Sequence, residues 1–437
     1  MPRRPGLALF TLWLLVFAAA GQIIVIAPIL PRIGEQLGVG PGPLGLLITV
    51  YSVTLAAFTL VVGPVSDRFG RRRVILVGTA AMAVALLMHG LATSFEALLA
   101  LRALAGVAGG VLSGASVAYV GDAFPADRRG WANGWVMSGF AVGQIVGIPL
   151  GIALAEAFGF RAPFVGFGLA MVAAFGLAVP FLPQPPDARS AVPLTVGTAT
   201  RGYVALARDR ETGAASAVYL LMFAGVGLFV VYFPSWLEAT LGFSPGQVSA
   251  VYVLGGIANV LAGPRAGRLS DRVGRKPVIV AASVGVGVLM AATPLAALWP
   301  PAAFVLFSGI MALAASRISP LQALLTEMVP AARRGAFMSL TAATGNAGFA
   351  AGSAAAGVLY AGLGFGANAI GAGALAVAAA ALVWAVIPAV RPAGVPCPPG
   401  LEDCADRPVP TVLSGPSPEA GHMTEGARPT LRAGVAP

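Results

Sequence analysis

The chain has 437 residues, 57% of them hydrophobic and only 10% charged, with a mean hydropathy of +0.86 and a net charge of +10. Soluble domains carry about 25% charged residues, so this composition excludes a soluble globular protein. Apolar stretches of roughly 20 residues recur along the whole length, which excludes the short alternating strands of a membrane barrel.

Twelve spans are predicted in chain order: Leu7–Leu30, Leu44–Val65, Val74–Leu91, Phe95–Val120, Trp131–Phe158, Pro163–Leu182, Ala214–Trp236, Val248–Ala266, Val278–Leu298, Ala302–Met328, Phe337–Leu363 and Gly366–Val390. The fold class expected is an all-α polytopic membrane protein. The opening MPRRPGLALFTLWLLVFAAAGQ has the basic start, apolar run and small residues of a cleavable signal. Its apolar run continues to Leu30, so an uncleaved signal-anchor is expected. A polar linker with Pro183, Pro185 and Pro186 divides the spans into two sets of six. The expected organisation is a first six-helix bundle over 1–182, a linker over 183–213, a second bundle over 214–390 and a disordered tail over 391–437.

Charge placement sets the topology. With an inside N-terminus, 23 of the 27 Lys and Arg residues fall on the inside. Arg32 and Arg161 lie in outside loops, and Arg102 and Arg317 lie within spans four and ten. The positive-inside rule then places both termini in the cytoplasm and the chain in the cytoplasmic (inner) membrane. The basicity serves topology, and no nucleic-acid partner is expected. Both cysteines, Cys397 and Cys404, sit in the tail, where neither a disulfide nor a metal site is expected.

The two halves repeat. GPVSDRFGRRR (63–73) and GRLSDRVGRKP (267–277) share GxxxDRxGR, and FPADRRG (124–130) and VPAARRG (329–335) share PAxRRG, at offsets of 204 and 205 residues. Parallel duplicated halves are a transporter architecture, with the substrate path between them. In the first loop, Gly63 permits close backbone approach and Gly70 a tight turn. Asp67 is a short acceptor suited to a helix N-terminus, while Arg68, Arg71, Arg72 and Arg73 can pair with acids. The second copy supplies Gly267, Asp271, Arg272, Gly274 and Arg275. A basic turn serving topology alone is the competing reading of these residues.

Span five carries a glycine ridge, Gly139, Gly143, Gly147 and Gly151, with Pro149 near its end. Span four carries Gly106, Gly110 and Gly114. Small residues let helices associate in lipid, so spans four and five are expected to press together smoothly, and Pro149 to bend its helix.

These motifs resemble the major facilitator superfamily over roughly Leu7 to Val390. GPVSDRFGRRR matches nearly every position of that family's loop between spans two and three. The resemblance implies twelve transmembrane helices in two pseudo-symmetric six-helix bundles. It also implies that the loop is a cytoplasmic latch stabilising the outward-open state. By position, Asp67 would face a helix end in the other half, and Arg71 would pair with Asp122. GQIVGIPLG is similar to the span-five motif of proton-driven exporters, in the variant of sugar- and amphenicol-efflux permeases, and GNAGFAAGSAAAG (345–357) in the second half lacks the proline. The pattern Arg-x-x-x-Gly at Arg102–Gly106 matches a family arginine implicated in proton coupling.

Arg102 and Arg317 are site candidates by default, because an arginine near a helix centre costs about 2.5–3.5 kcal/mol on insertion scales. No Asp or Glu falls mid-span. Two arginines without an acid suit neutral or anionic compounds, and Glu35, His89 and Glu96 are the weak alternatives as proton carriers. Gln22, Tyr51, Gln144, Asn259 and Asn346 are further path candidates, each equally readable as glue between helices. HExxH and P-loop motifs are missing, so neither an enzyme nor an ATP-driven pump is expected, and no cofactor. The expectation is a monomeric exporter of small amphipathic molecules, embedded in the lipid bilayer and driven by proton antiport. Nutrient uptake by symport or facilitation is the alternative.

Overall fold

The computed structural model describes residues 4–113, 119–120, 123–124, 126–184 and 196–387, with backbone alone for 63–68, 126–127, 129–130, 196–200 and 331–332. The side chains of Gly63, Asp67 and Arg68 are thus outside what is described, as are Gly114, Asp122 and the tail from 388 onward.

No strand occurs among the described residues. In lipid every backbone polar group must be satisfied within its own segment, and a helix does this. Span one runs as Pro5–Ile24 continued by Ile26–Leu37, and span two as Pro41–Leu44 and Leu46–Phe69. Spans three, four and six are Arg71–Met88, Phe95–Leu112 and Arg161–Phe181. Span seven is Arg210–Val230 with Phe233–Leu241, and spans eight to ten are Pro245–Val273, Arg275–Ala292 and Ala302–Met328. Spans eleven and twelve are Ala331–Leu363 and Phe365–Val386. Eleven of the twelve spans, span five included, are long and apolar enough to cross a membrane. The other is span eleven, 33 residues long, whose Gly, Ser, Thr and Asn dilute its hydropathy.

Span five is not one α-helix. Ala126–Val142 and Ile148–Phe158 are joined by a π-helical turn at Gly143–Gly147. Pro149 has no N–H to offer the carbonyl four residues back and its ring crowds that carbonyl. The preceding turn widens, so the bend expected from this proline takes the form of a π-bulge. Span eleven has Ala354 at the corresponding position and continues as a single helix.

The duplication is visible in the backbone. Among the described residues six glycines have positive φ, and they pair at offsets of 204 or 205 residues: Gly38 with Gly242, Gly70 with Gly274, and Gly159 with Gly364. Each pair closes the same turn in its own half, where a side chain would be strained. Packing repeats as well. Span one packs on five and six, two on four, and three on four and six; seven packs on eleven and twelve, eight on ten, and nine on ten and twelve. Between the halves, span two meets eleven and span five meets eight.

The glycine ridges correct the expected pairing of spans four and five. A Cβ at Gly139 would lie 2.6 Å from the Trp13 carbonyl oxygen, one at Gly143 3.2 Å from that of Phe17, and one at Gly147 3.5 Å from Gly21 Cα. At Gly151 it would run into Val25. Residues 13, 17, 21 and 25 are themselves one ridge, so span five seats on the parallel span one. The span-four ridge faces span two instead, with Gly106 against the Tyr51 carbonyl and Gly110 against Leu55 and Phe58. Both seams lie inside the first half. In the second half Gly348 and Gly352 repeat the span-five contact against Leu220 and Ala224 of span seven.

The linker holds a helix that the sequence reading did not anticipate, Val196–Arg208. Leu206 is buried in the second-half core, and the Tyr203 hydroxyl donates to the Leu60 carbonyl of span two at 3.3 Å. Asp209 then caps span seven by accepting from the Thr212 N–H at 3.1 Å.

Candidate functional site

Three polar constellations interrupt the apolar packing. Span ends are named here by charge: the basic end carries the repeated Arg-rich loops, and the far end lies opposite.

At the far end Arg32, beyond the first segment of span one, pairs with Glu156 of span five and with Glu238 of span seven. The Glu238 contact is 2.9 Å and crosses from one half to the other. Burial works against the Arg32 charge, but Glu238 and Glu156 outweigh it, holding the guanidinium above its ordinary range. The same end is closed by Tyr232 of span seven, which donates to the Pro41 carbonyl and accepts from the Gly45 N–H at 3.0 Å. Thr49 donates to the Ala350 carbonyl at 3.3 Å, again across the halves. One apolar cluster runs continuously through residues of both halves here. Neither Glu156 nor Glu238 stood among the residues expected from sequence. Their outer positions opposite Arg32, one of only two basic outside residues, were the available signal.

Within the first half, three of the expected residues meet. Arg102 is fully buried and donates from Nη1 to the Gln22 amide oxygen at 2.9 Å and from Nε to the Leu47 carbonyl at 3.3 Å. Gln22 in turn donates to the Tyr51 hydroxyl at 3.0 Å. The guanidinium lies 4.3 Å from the Tyr51 ring centroid, a cation–π contact. The arrangement spreads one positive charge over neutral acceptors and a π face, with no carboxylate. Arg102 therefore does not snorkel. His89 packs on Phe164 at 4.6 Å beside this cluster, its Nδ1 2.6 Å from the Ala85 carbonyl.

Arg102 Nη2 makes no hydrogen bond, and Arg317 is barer still. It is 1% exposed, and its Nε and Nη1 have no hydrogen-bond partner. The other expected path residues are dispersed. Asn259 donates to the Met311 carbonyl at 3.2 Å, joining spans eight and ten, and Asn346 donates to Ala342 in its own helix at 2.9 Å. Gln144 lies in the π turn. The inter-half contact nearest to it is Ile145 against Gly256 of span eight, where a Cβ would come within 2.8 Å.

At the basic end the second copy of the repeated loop shows its pairing in full. Arg275 pairs with Glu327 at 2.7 Å, and Lys276 donates to the Ile387 carbonyl at 2.8 Å, at the end of span twelve. In the first copy Arg72 occupies the place of Lys276 and donates to the carbonyls of Leu182 and Val179, at the end of span six. A cation at a helix C-terminus meets unpaired carbonyls and the negative end of the dipole. Glu327 was not singled out in the sequence, although the offset of 205 carries Asp122 onto it. Asp271 and Arg272 are exposed.

The family model of the Major Facilitator Superfamily matches residues 12–211 and 215–420. The chain belongs to the major facilitator superfamily. Its relatives include the "uncharacterized MFS-type transporter YceJ" of Bacillus subtilis (strain 168), 26% identical over 80% of this chain and 89% of that one. The "multidrug resistance protein MdtG" of Salmonella typhi is 27% identical over 62% of this chain and 69% of its own. The solved structure of a D-xylose-proton symporter superposes with a TM-score of 0.72 at 18% identity, over 88% of this chain and 98% of that one. The fold is thus that of a major facilitator: a multi-pass membrane transporter, not an enzyme, whose family takes small-molecule substrates and couples to ions.

Proposed function

We propose that this major facilitator is a secondary active exporter of small amphipathic molecules, neutral or anionic, working by proton antiport and alternating access. The observation that carries the reading is the cross-half pair of Arg32 and Glu238. It joins the two bundles at one end through a contact that can be broken and remade, while Asp271 and Arg272 lie exposed at the other. With the basic loops in the cytoplasm, this is a state closed to the outside. Opening outward would part Arg32 from Glu238 and release Tyr232 from span two, while the repeated loops, Asp67 and Asp271 among them, close the inner side as a latch.

Export is supported by the span-five motif, now seated as a π-bulged helix on span one, and by relatives named for multidrug resistance. Anionic or neutral cargo is supported by the lack of a mid-span acid in the sequence. Both termini are placed in the cytoplasm and the chain in the inner membrane, acting as a monomer.

The test uses inverted membrane vesicles and chloramphenicol as a neutral amphipathic probe. Imposing an acidic lumen should drive probe accumulation that collapses when the proton gradient is discharged. Gradient-driven accumulation in right-side-out vesicles instead would establish the uptake symporter, a reading for which the missing mid-span acid and the sugar symporter's shared fold speak.

A further inference from the structure

Arg317 has no role in the contacts described so far, and its surroundings are specific. It shares a helix face with Ile310, Ala314, Leu321 and Leu324, all buried. Ile310 and Ala314 belong to the large apolar cluster, Leu321 and Leu324 to a second cluster confined to the second half, so the guanidinium sits where the two abut. Nε and Nη1 make no hydrogen bond. Glu327 lies three turns further along the same helix and is engaged by Arg275.

A guanidinium does not shed its proton in a protein. Water could satisfy the free N–H groups, but it would leave a net charge inside an apolar core, whereas Arg102 has a π face and two acceptors to spread its own. We propose that Arg317 holds a small monovalent anion of halide size inside the second half. The ligand is small because Arg317 and the residues on its helix face, Ile310, Ala314, Leu321 and Leu324, are buried, which leaves no place for an organic body. It is monovalent because a single guanidinium cancels one charge; the nearest cation at this depth on span eight, Arg265, is exposed and donates to the Leu261 carbonyl at 2.6 Å. The site lies within one bundle and is independent of which cargo the protein moves or in which direction.

The experiment measures thermal unfolding of the full chain in lipid nanodiscs, in sodium chloride against sodium gluconate at equal ionic strength. Chloride should raise the wild-type midpoint saturably, by about 2–5 °C at roughly a hundred times the half-saturating concentration. Arg317→Gln should abolish the response and, in gluconate, unfold no lower than wild type, because it removes a bare buried charge. Arg317→Lys should keep the response at higher chloride. A wild-type midpoint indifferent to chloride would show that water alone fills the site, and an equal response in Arg317→Gln would place the anion elsewhere; either overturns the proposal.

Discussion

Arg275 and Glu327 pair at 2.7 Å at the basic end of the second half, and they stand at the positions that the internal repeat assigns to Arg71 and Asp122 in the first. The pair ties the loop after span eight to the end of span ten. It is partly exposed, with side chains 18% and 38% accessible. Pairs of this kind contribute roughly 0–1 kcal/mol, so a role in holding the fold together is small and a role in timing its movement is what remains. Glu327→Gln should lower transport severalfold while moving the unfolding midpoint by no more than about 2 °C. A large loss of stability with normal specific flux would assign the pair to folding instead.

The span one–five seam makes a prediction that distinguishes its glycines from one another. Gly139 faces a backbone oxygen that cannot yield, whereas Gly147 has its nearest neighbours at 3.5 Å and Gly134 has none within 4 Å. Gly139→Val should destabilise the protein by about 1–3 kcal/mol through overpacking. Gly147→Ala and Gly134→Ala should be accepted with little change. Thermal melts of the three variants in one detergent rank them, and equal effects would mean that the seam is looser than its distances.

The polar cluster around Arg102 is ordered by what each change leaves behind. Gln22→Leu strips Nη1 of its acceptor and should cost about 3–5 kcal/mol, the scale for breaking a buried charge's pairing. Tyr51→Phe keeps the ring under the guanidinium and loses only the bond from Gln22, a cost of about 1 kcal/mol. Denaturation of both variants checks the order; a larger loss in Tyr51→Phe would mean the hydroxyl, not the ring, supports the arginine.

Glu238→Gln removes the contact that crosses the halves at the far end. A cysteine placed at Ser353, fully buried beneath that closure, should then react faster with an impermeant maleimide from the outer side. Acid should act in the same direction in the unmodified gate, since protonating Glu238 removes the negative charge that Arg32 meets across the halves; Glu35 adds a further negative charge near Glu238. Labelling that accelerates as pH falls in the Ser353→Cys protein, and is already fast and less pH-sensitive with Glu238→Gln, confirms the gate. Unchanged labelling in both would mean that the aromatic and glycine contacts alone close this end.

Most of the architecture was legible because hydropathy and charge placement are one-dimensional quantities. The span limits and the duplication follow from patterns along the chain. The partner of each glycine ridge did not, because Gly139 to Gly151 state only that something approaches closely. Spans four and five are consecutive in sequence, and the structure joins five to one and four to two. Glu156 and Glu238 were passed over for a related reason: a carboxylate at a span end is ordinary until its opposite charge, 206 residues away in the case of Arg32 and Glu238, is seen to face it. Gln22, Tyr51 and Arg102 were found individually, since a buried polar residue in lipid is conspicuous by itself, while their mutual contact needed three helices to converge.

The π turn at Gly143–Gly147 has no counterpart in the uninterrupted helix Ala331–Leu363. The protein is therefore a clamp with one supple limb and one stiff limb. Deformation under load should concentrate in span five, beside its contact with Gly256, leaving span eleven to move as a rod.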